Sequence, residues 1–198
     1  MGVSVTQYLP SHLKAMSAAG SLFVLHLRLE GQVLQDQSGI LARTLGAYAA
    51  PRSYMPLRDE LQTAARATDL RPTEVDKYRT PAFRLSLFLL RTLAYIECIE
   101  LGSASFDLEE AANRLRKPHL RWMASKKRAT RVTARDLNLA RVHLKREFGE
   151  DCINPGASLE AYAVEVGDRP YAAALVGSML SFNRSPGLPY ESLALPPL

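Results

Sequence analysis

The chain has 198 residues, 47% of them hydrophobic and 23% charged, with a formal net charge of +5. That balance is enough for a real core and argues against global disorder. Two cysteines, Cys98 and Cys152, are too few for a disulfide framework or a thiolate zinc site. They point to an intracellular, reducing compartment.

Residues 1–37 form an N-terminal segment. Met1-Gly2-Val3-Ser4-Val5-Thr6 fits the minimal pattern for lipidation of Gly2. The first acid is Glu30, an acid-poor start of the kind seen in organelle transit peptides, although only Lys14 and Arg28 are basic there. Leu25, Leu27 and Leu29 alternate with His26 and Arg28, which suits either a short strand or a stretch of buried helix.

Residues 38–150 read as a helical domain. Ser38–Ala50 is expected to be a helix with Ile40, Leu41, Leu45 and Tyr48 on one side, stopped by Pro51. Pro56 suits the opening of the next helix, whose stripe is Leu57, Leu61, Ala64 and Ala65, and Arg71-Pro72 ends it. Thr80 is expected to cap a long helix with Pro81 at its first position and Gly102 at its stop. The apolar run Leu85–Leu101 within it is interrupted by Arg91, Glu97 and Glu100, so it predicts a core helix and no transmembrane segment. Asp107–Arg116 is a shorter amphipathic helix that Pro118 should end or kink. Thr133-Ala134-Arg135-Asp136 has the spacing of a capping box for a helix over Arg135–Phe148, stopped by Gly149.

Residues 151–198 form a C-terminal extension. Asp168-Arg169-Pro170 can start a helix carrying Tyr171, Leu175 and Phe182. Ser185–Leu198, with Pro186, Pro189, Pro196 and Pro197, reads as an extended Pro-rich tail suited to lie against a partner. The predicted fold class is therefore mainly α, a helical domain with a Pro-rich C-terminal extension.

The charge is unevenly placed. Between Arg114 and Arg146 there are 12 Lys/Arg and one acid, Asp136, a net of +11, while the remaining residues carry 13 Lys/Arg and 19 Asp/Glu, a net of −6. A solvated helix usually mixes signs to gain pairs one turn apart, so a segment nearly free of acids marks a surface for a polyanion. The candidate contacts are Arg114, Arg116, Lys117, Arg121, Lys126, Lys127, Arg128, Arg131 and Arg135, with Thr133 and free N–H groups at a helix start as further phosphate donors. Trp122 and His119 would stack on unpaired bases, which favours RNA; otherwise Trp122 belongs to the core. An acidic protein surface is the competing partner.

Lys127-Arg128 followed by Val132-Thr133-Ala134-Arg135-Asp136-Leu137-Asn138-Leu139-Ala140-Arg141 resembles the second loop and third helix of core histones, the H-three type in particular. Pro56–Arg71 resembles their first helix and loop, and Thr80–Leu101 the long middle helix. The resemblance implies a histone-like handshake heterodimer whose paired loops hold duplex phosphates through Arg128, Arg131 and Thr133. The sequence departs from that pattern by an insertion over 103–125, by the absence of a Lys-rich leading tail, and by the extension from Asp151.

Arg114 and His119 have the R-x4-H spacing of HEPN-type ribonucleases, but Pro118 breaks the helix that the motif requires. A helix-turn-helix can be drawn through Leu108–Lys127 with its turn in Arg116–Pro118. His12, His26 and His143 have no metal-ligand spacing, and no phosphate loop, dinucleotide fingerprint or nucleophile elbow is present. The expectation is a non-enzymatic nucleic-acid-binding protein, for DNA or RNA, without cofactor or metal. The alternative is a structural subunit of a large assembly, such as an organellar ribosome, a respiratory complex or a virion.

Overall fold

The computed structural model describes residues 7–126, 129, 131–154 and 156–181. The Pro-rich tail, Gly2, Lys127 and Arg128 lie outside the described residues. The protein is mainly α-helical, with ten α-helices and two 3-10 turns among the described residues. It divides into two compact units at Ser53/Tyr54, later than the 37/38 boundary expected above.

The first unit holds α1 (Pro10–Ala18), α2 (Leu22–Glu30) and α3 (Ile40–Gly46). The Leu22–Leu29 stretch is thus helical. Its period-2 alternation is overridden because Ser21 caps the helix, accepting from the Phe23 N–H at 3.2 Å, and because Leu22 and Val24 bury while Leu29 faces out. Gly20 links α1 to α2 at φ 68, and a Cβ there would lie 2.8 Å from Ala49 O and Pro51 Cδ, so only glycine fits. Helix α3 is shorter than Ser38–Ala50 and buries Thr44; Ile40 remains exposed.

The second unit is built around one long helix. It contains α4 (Met55–Arg66), α5 (Val75–Glu100), α6 (Leu108–Arg114), α7 (His119–Lys126), α8 (Ala134–Phe148), α9 (Leu159–Glu165) and α10 (Pro170–Ser181). Helix α4 buries the expected stripe of Leu57, Leu61, Ala64 and Ala65. On α5, Phe83, Leu85, Leu89, Leu90, Leu93 and Ile96 are at most 2% exposed, covered mainly by α4, α6, α8 and α10.

The start of α5 corrects the sequence reading. Thr80 is not its cap, and Pro81 lies inside the helix. The start signal is Arg71-Pro72-Thr73-Glu74, a 3-10 turn in which the Glu74 carboxylate accepts from the Arg71 N–H at 3.2 Å and which runs directly into α5. Pro81 is tolerated in the second turn, where its missing N–H forfeits one helical bond and burial of its ring offsets part of that cost. Gly102, at φ 73, ends α5 as expected: its N–H donates to Ile99 O and that of Ser103 to Cys98 O, a Schellman stop.

The C-terminal residues 151–181 belong to this unit and not to a separate extension. Helix α10 packs on α4 and α5, and α9, which hydrophobic periodicity did not reveal, packs on α10. Two buried glutamates stitch them in. Glu60 accepts from Arg169 Nε at 2.7 Å and the Ala172 N–H at 2.9 Å, at the start of α10, and Glu74 accepts from the Leu159 N–H at 2.9 Å, at the start of α9. Among the described residues, no helix is long and apolar enough to cross a membrane.

Candidate nucleic-acid interface

Helices α7 and α8 form an antiparallel hairpin joined by the basic loop. At one end Lys126 Nζ lies 2.8 Å from Asp136, and at the other His119 stacks on His143 with ring centroids 4.6 Å apart. Arg84 of α5 donates to Ala129 O and ties the loop to the central helix. Helix α8 starts with the expected capping box: Thr133 Oγ1 accepts from the Asp136 N–H at 3.1 Å, and the Thr133 N–H donates to Asp136 Oδ2 at 3.0 Å. Lys126 and Thr133 hold the Asp136 carboxyl down at about 2. The anion position at the start of α8 is therefore filled by the protein's own carboxylate, and Thr133 is a cap whose hydroxyl is already engaged.

The linear charge count overstates the free positive charge, because acids from elsewhere in the chain fold back onto the segment. Arg114 pairs with Glu110 and donates to Ser103 O at 2.9 Å. Lys117 lies between Glu97, at 2.7 Å, and Glu147. Arg141 pairs with Asp69, and Lys145 with Glu150 at 3.3 Å. Arg121 donates to the Asn113 amide oxygen. Among the described residues of this segment, Arg116, Arg121, Arg131, Arg135 and Arg146 are exposed and have no carboxylate partner.

These free arginines are not scattered evenly. Arg131 sits in the loop, while Arg135, Asn138, Leu139, Val142 and Arg146 make up the exposed face of α8, with Leu137, Ala140 and Leu144 buried on the opposite side. Both acids of α8, Asp136 and Glu147, are turned toward the α7 side, where Lys126 and Lys117 hold them. The outward face of α8 is consequently free of acids.

The two aromatic candidates for base stacking are engaged by protein. Trp122 is half-buried, meeting the Phe83 ring edge-on at 6.2 Å and lying 5.5 Å from His143. His119 is buried, with neither ring nitrogen hydrogen-bonded and Glu147 Oε1 3.5 Å from Nε2. Burial first, then the neighbouring His143, lowers its pKa from 6.5 to about 4, against the opposing pull of Glu147. Arg114 and His119 accordingly sit on two different helices, one exposed and ion-paired, the other covered by protein.

Over Leu108–Lys127, where the sequence suggests a helix-turn-helix, α6 and α7 are consecutive helices in contact across a short turn. Arg116 adopts φ 54 in place of a glycine, and the Lys117 N–H donates to Ala112 O. Helix α7 is short and turned inward, exposing only Arg121 and Ser125. Among the described residues, no group of three or more His, Cys, Asp or Glu is placed to hold a metal ion.

The fold and this surface define a mainly α-helical protein with a basic loop–helix face. No protein-family model, curated protein or solved structure matches the chain.

Proposed function

We propose that the protein is a non-enzymatic nucleic-acid-binding protein whose contact surface is the loop before α8 together with the outward face of that helix. The observation that carries this reading is selective neutralisation. Lys117, Lys126, Arg141 and Lys145 are matched by carboxylates, while Arg131, Arg135 and Arg146 are left exposed on or beside one acid-free face. Cations held on one side and unmatched by protein acids are what displacement of phosphate counterions requires. We place the surface on a single chain and not in a handshake pair, because the apolar side chains of α5 are already buried against helices of its own unit.

The test is anisotropy of a labelled mixed-sequence duplex titrated with the full chain. Neutralising two or three phosphates predicts an affinity that falls about 10- to 40-fold between about 50 and 200 mM salt. The double variant Arg131→Ala/Arg146→Ala should weaken binding by about tenfold, whereas Lys14→Ala, in the first unit, should leave it unchanged. No binding of DNA or RNA at low salt, or affinity indifferent to salt, overturns the proposal.

A second reading, a subunit built into a larger assembly, draws on the first unit. There Leu29, Val33 and Leu34 are exposed, the last at 95%. It predicts a chain that self-associates or fails to fold alone, and a monodisperse monomer with cooperative unfolding would count against it.

A further inference from the structure

We propose that the outward face of α8 enters the major groove of duplex DNA, with Arg135 and Asn138 reading base edges, Leu139 and Val142 meeting thymine methyl groups, and Arg131 and Arg146 gripping the flanking phosphates. This rests on the nucleic-acid reading above and specifies which nucleic acid and which atoms.

The first ground is geometry. The exposed positions 135, 138, 139, 142 and 146 follow the spacing i, i+3, i+4, i+7, i+11. At about 100° per residue they fall within a sector roughly 100° wide and about 16 Å long, which a groove about 12 Å wide accepts. Beyond this sector Leu137, Ala140 and Leu144 are buried, His143 and Glu147 turn toward α7, and Arg141 and Lys145 are paired with Asp69 and Glu150.

The second ground is chemistry. A face that only grips phosphates needs cations and little else. This one places an amide and two aliphatic side chains between its arginines. Arginine pairs with guanine O6 and N7, asparagine with adenine N6 and N7, and aliphatic groups with the thymine methyl, all of them groups displayed in the major groove.

Charge supplies the third ground and sets the orientation. Arg131 and Arg135 lie at the N-terminal end of α8, whereas the exposed Glu150 and Asp151 lie just beyond its C-terminus. The helix start therefore enters the groove more deeply, while Arg146, in the last turn, reaches the backbone at the groove edge and the acids beyond it stay outside. The A-form major groove of duplex RNA is too deep and narrow to admit such a helix, so the face discriminates DNA from RNA by shape.

The experiment is selection of a randomised DNA duplex of about 20 base pairs by the full chain, followed by anisotropy on the selected duplex, the RNA duplex of the same sequence and each separate DNA strand. The selected DNA duplex should bind at least about tenfold more tightly than its RNA counterpart. Asn138→Ala, a change at an exposed position, should lose about 5- to 100-fold on the selected site and less than about twofold on unselected DNA. Arg146→Ala should weaken both equally. Equal affinity for DNA and RNA duplexes, or a sequence preference that survives both Asn138→Ala and Val142→Ala, overturns the groove inference while leaving the basic surface standing. Absence of binding to every nucleic acid probe removes both, and is the outcome expected if an acidic protein covers this face.

Discussion

At the scale of single residues, the buried pair His119–His143 turns a sequence expectation into a different kind of property. A histidine inside a basic segment invites a role toward phosphate, but the ring stack on His143 places His119 in the interior. The charged groups around it are Glu97, Lys117, Arg146 and Glu147, with His143 itself also lowered by burial. Because the folded pKa of His119, about 4, lies below its ordinary 6.5, the unfolded chain binds a proton that the folded chain refuses in that window. The stability contribution is complete above about pH 6.5 and declines as pH falls toward about 4, by on the order of 3 kcal/mol. Urea unfolding from pH 7 to 4 should show that decline, and His119→Phe should flatten it. The same decline in the variant would assign the acid sensitivity elsewhere.

At the scale of elements, caps decide where helices begin and end. Thr133 at the start of α8 was legible because a capping box is a local pattern of residue types four positions long. Thr133→Ala removes one cap hydrogen bond and should cost about 1 kcal/mol, measured by thermal or chemical unfolding. The start of α5 is set by a distant partner and so has no matching local pattern. Thr80-Pro81 has the local signature of a start, yet the preceding turn is held by Glu74, whose carboxylate also serves the Leu159 N–H 85 positions away. Arg116 stands between these cases: Pro118 signalled the break, but nothing local required a left-handed arginine. Arg116→Gly should relieve that conformation and stabilise the fold by about 0.5–1 kcal/mol in the same measurement.

At the scale of the whole molecule, residues 151–181 are part of the core and not an appendage. A chain ending at residue 150 would leave the buried Glu60 without Arg169 and the Ala172 N–H, would leave Glu74 with Arg71 but without the Leu159 N–H, and would strip α10 from α4 and α5. Such a truncation should lose cooperative unfolding and near-ultraviolet dichroism, because partners lost at two buried carboxylates and newly exposed leucines act in the same direction. A cooperative transition in the truncated chain would show that α10 is dispensable.

Local sequence determined the helical class, the stripe on α4, the box on α8, the stops at Gly102 and Gly149, and the density of positive charge around the loop. All of these depend on neighbours within a turn or two. Tertiary structure alone decided which cations are free. Glu97, Glu147 and Asp69 reach Lys117 and Arg141 from other elements, so among the described residues the free charge of the +11 stretch narrows to exposed arginines, three of them on or beside one face of α8. Net charge is a property of the chain, whereas unpaired charge is a property of the fold, because Coulomb attraction acts over ångströms in space and is indifferent to separation along the sequence.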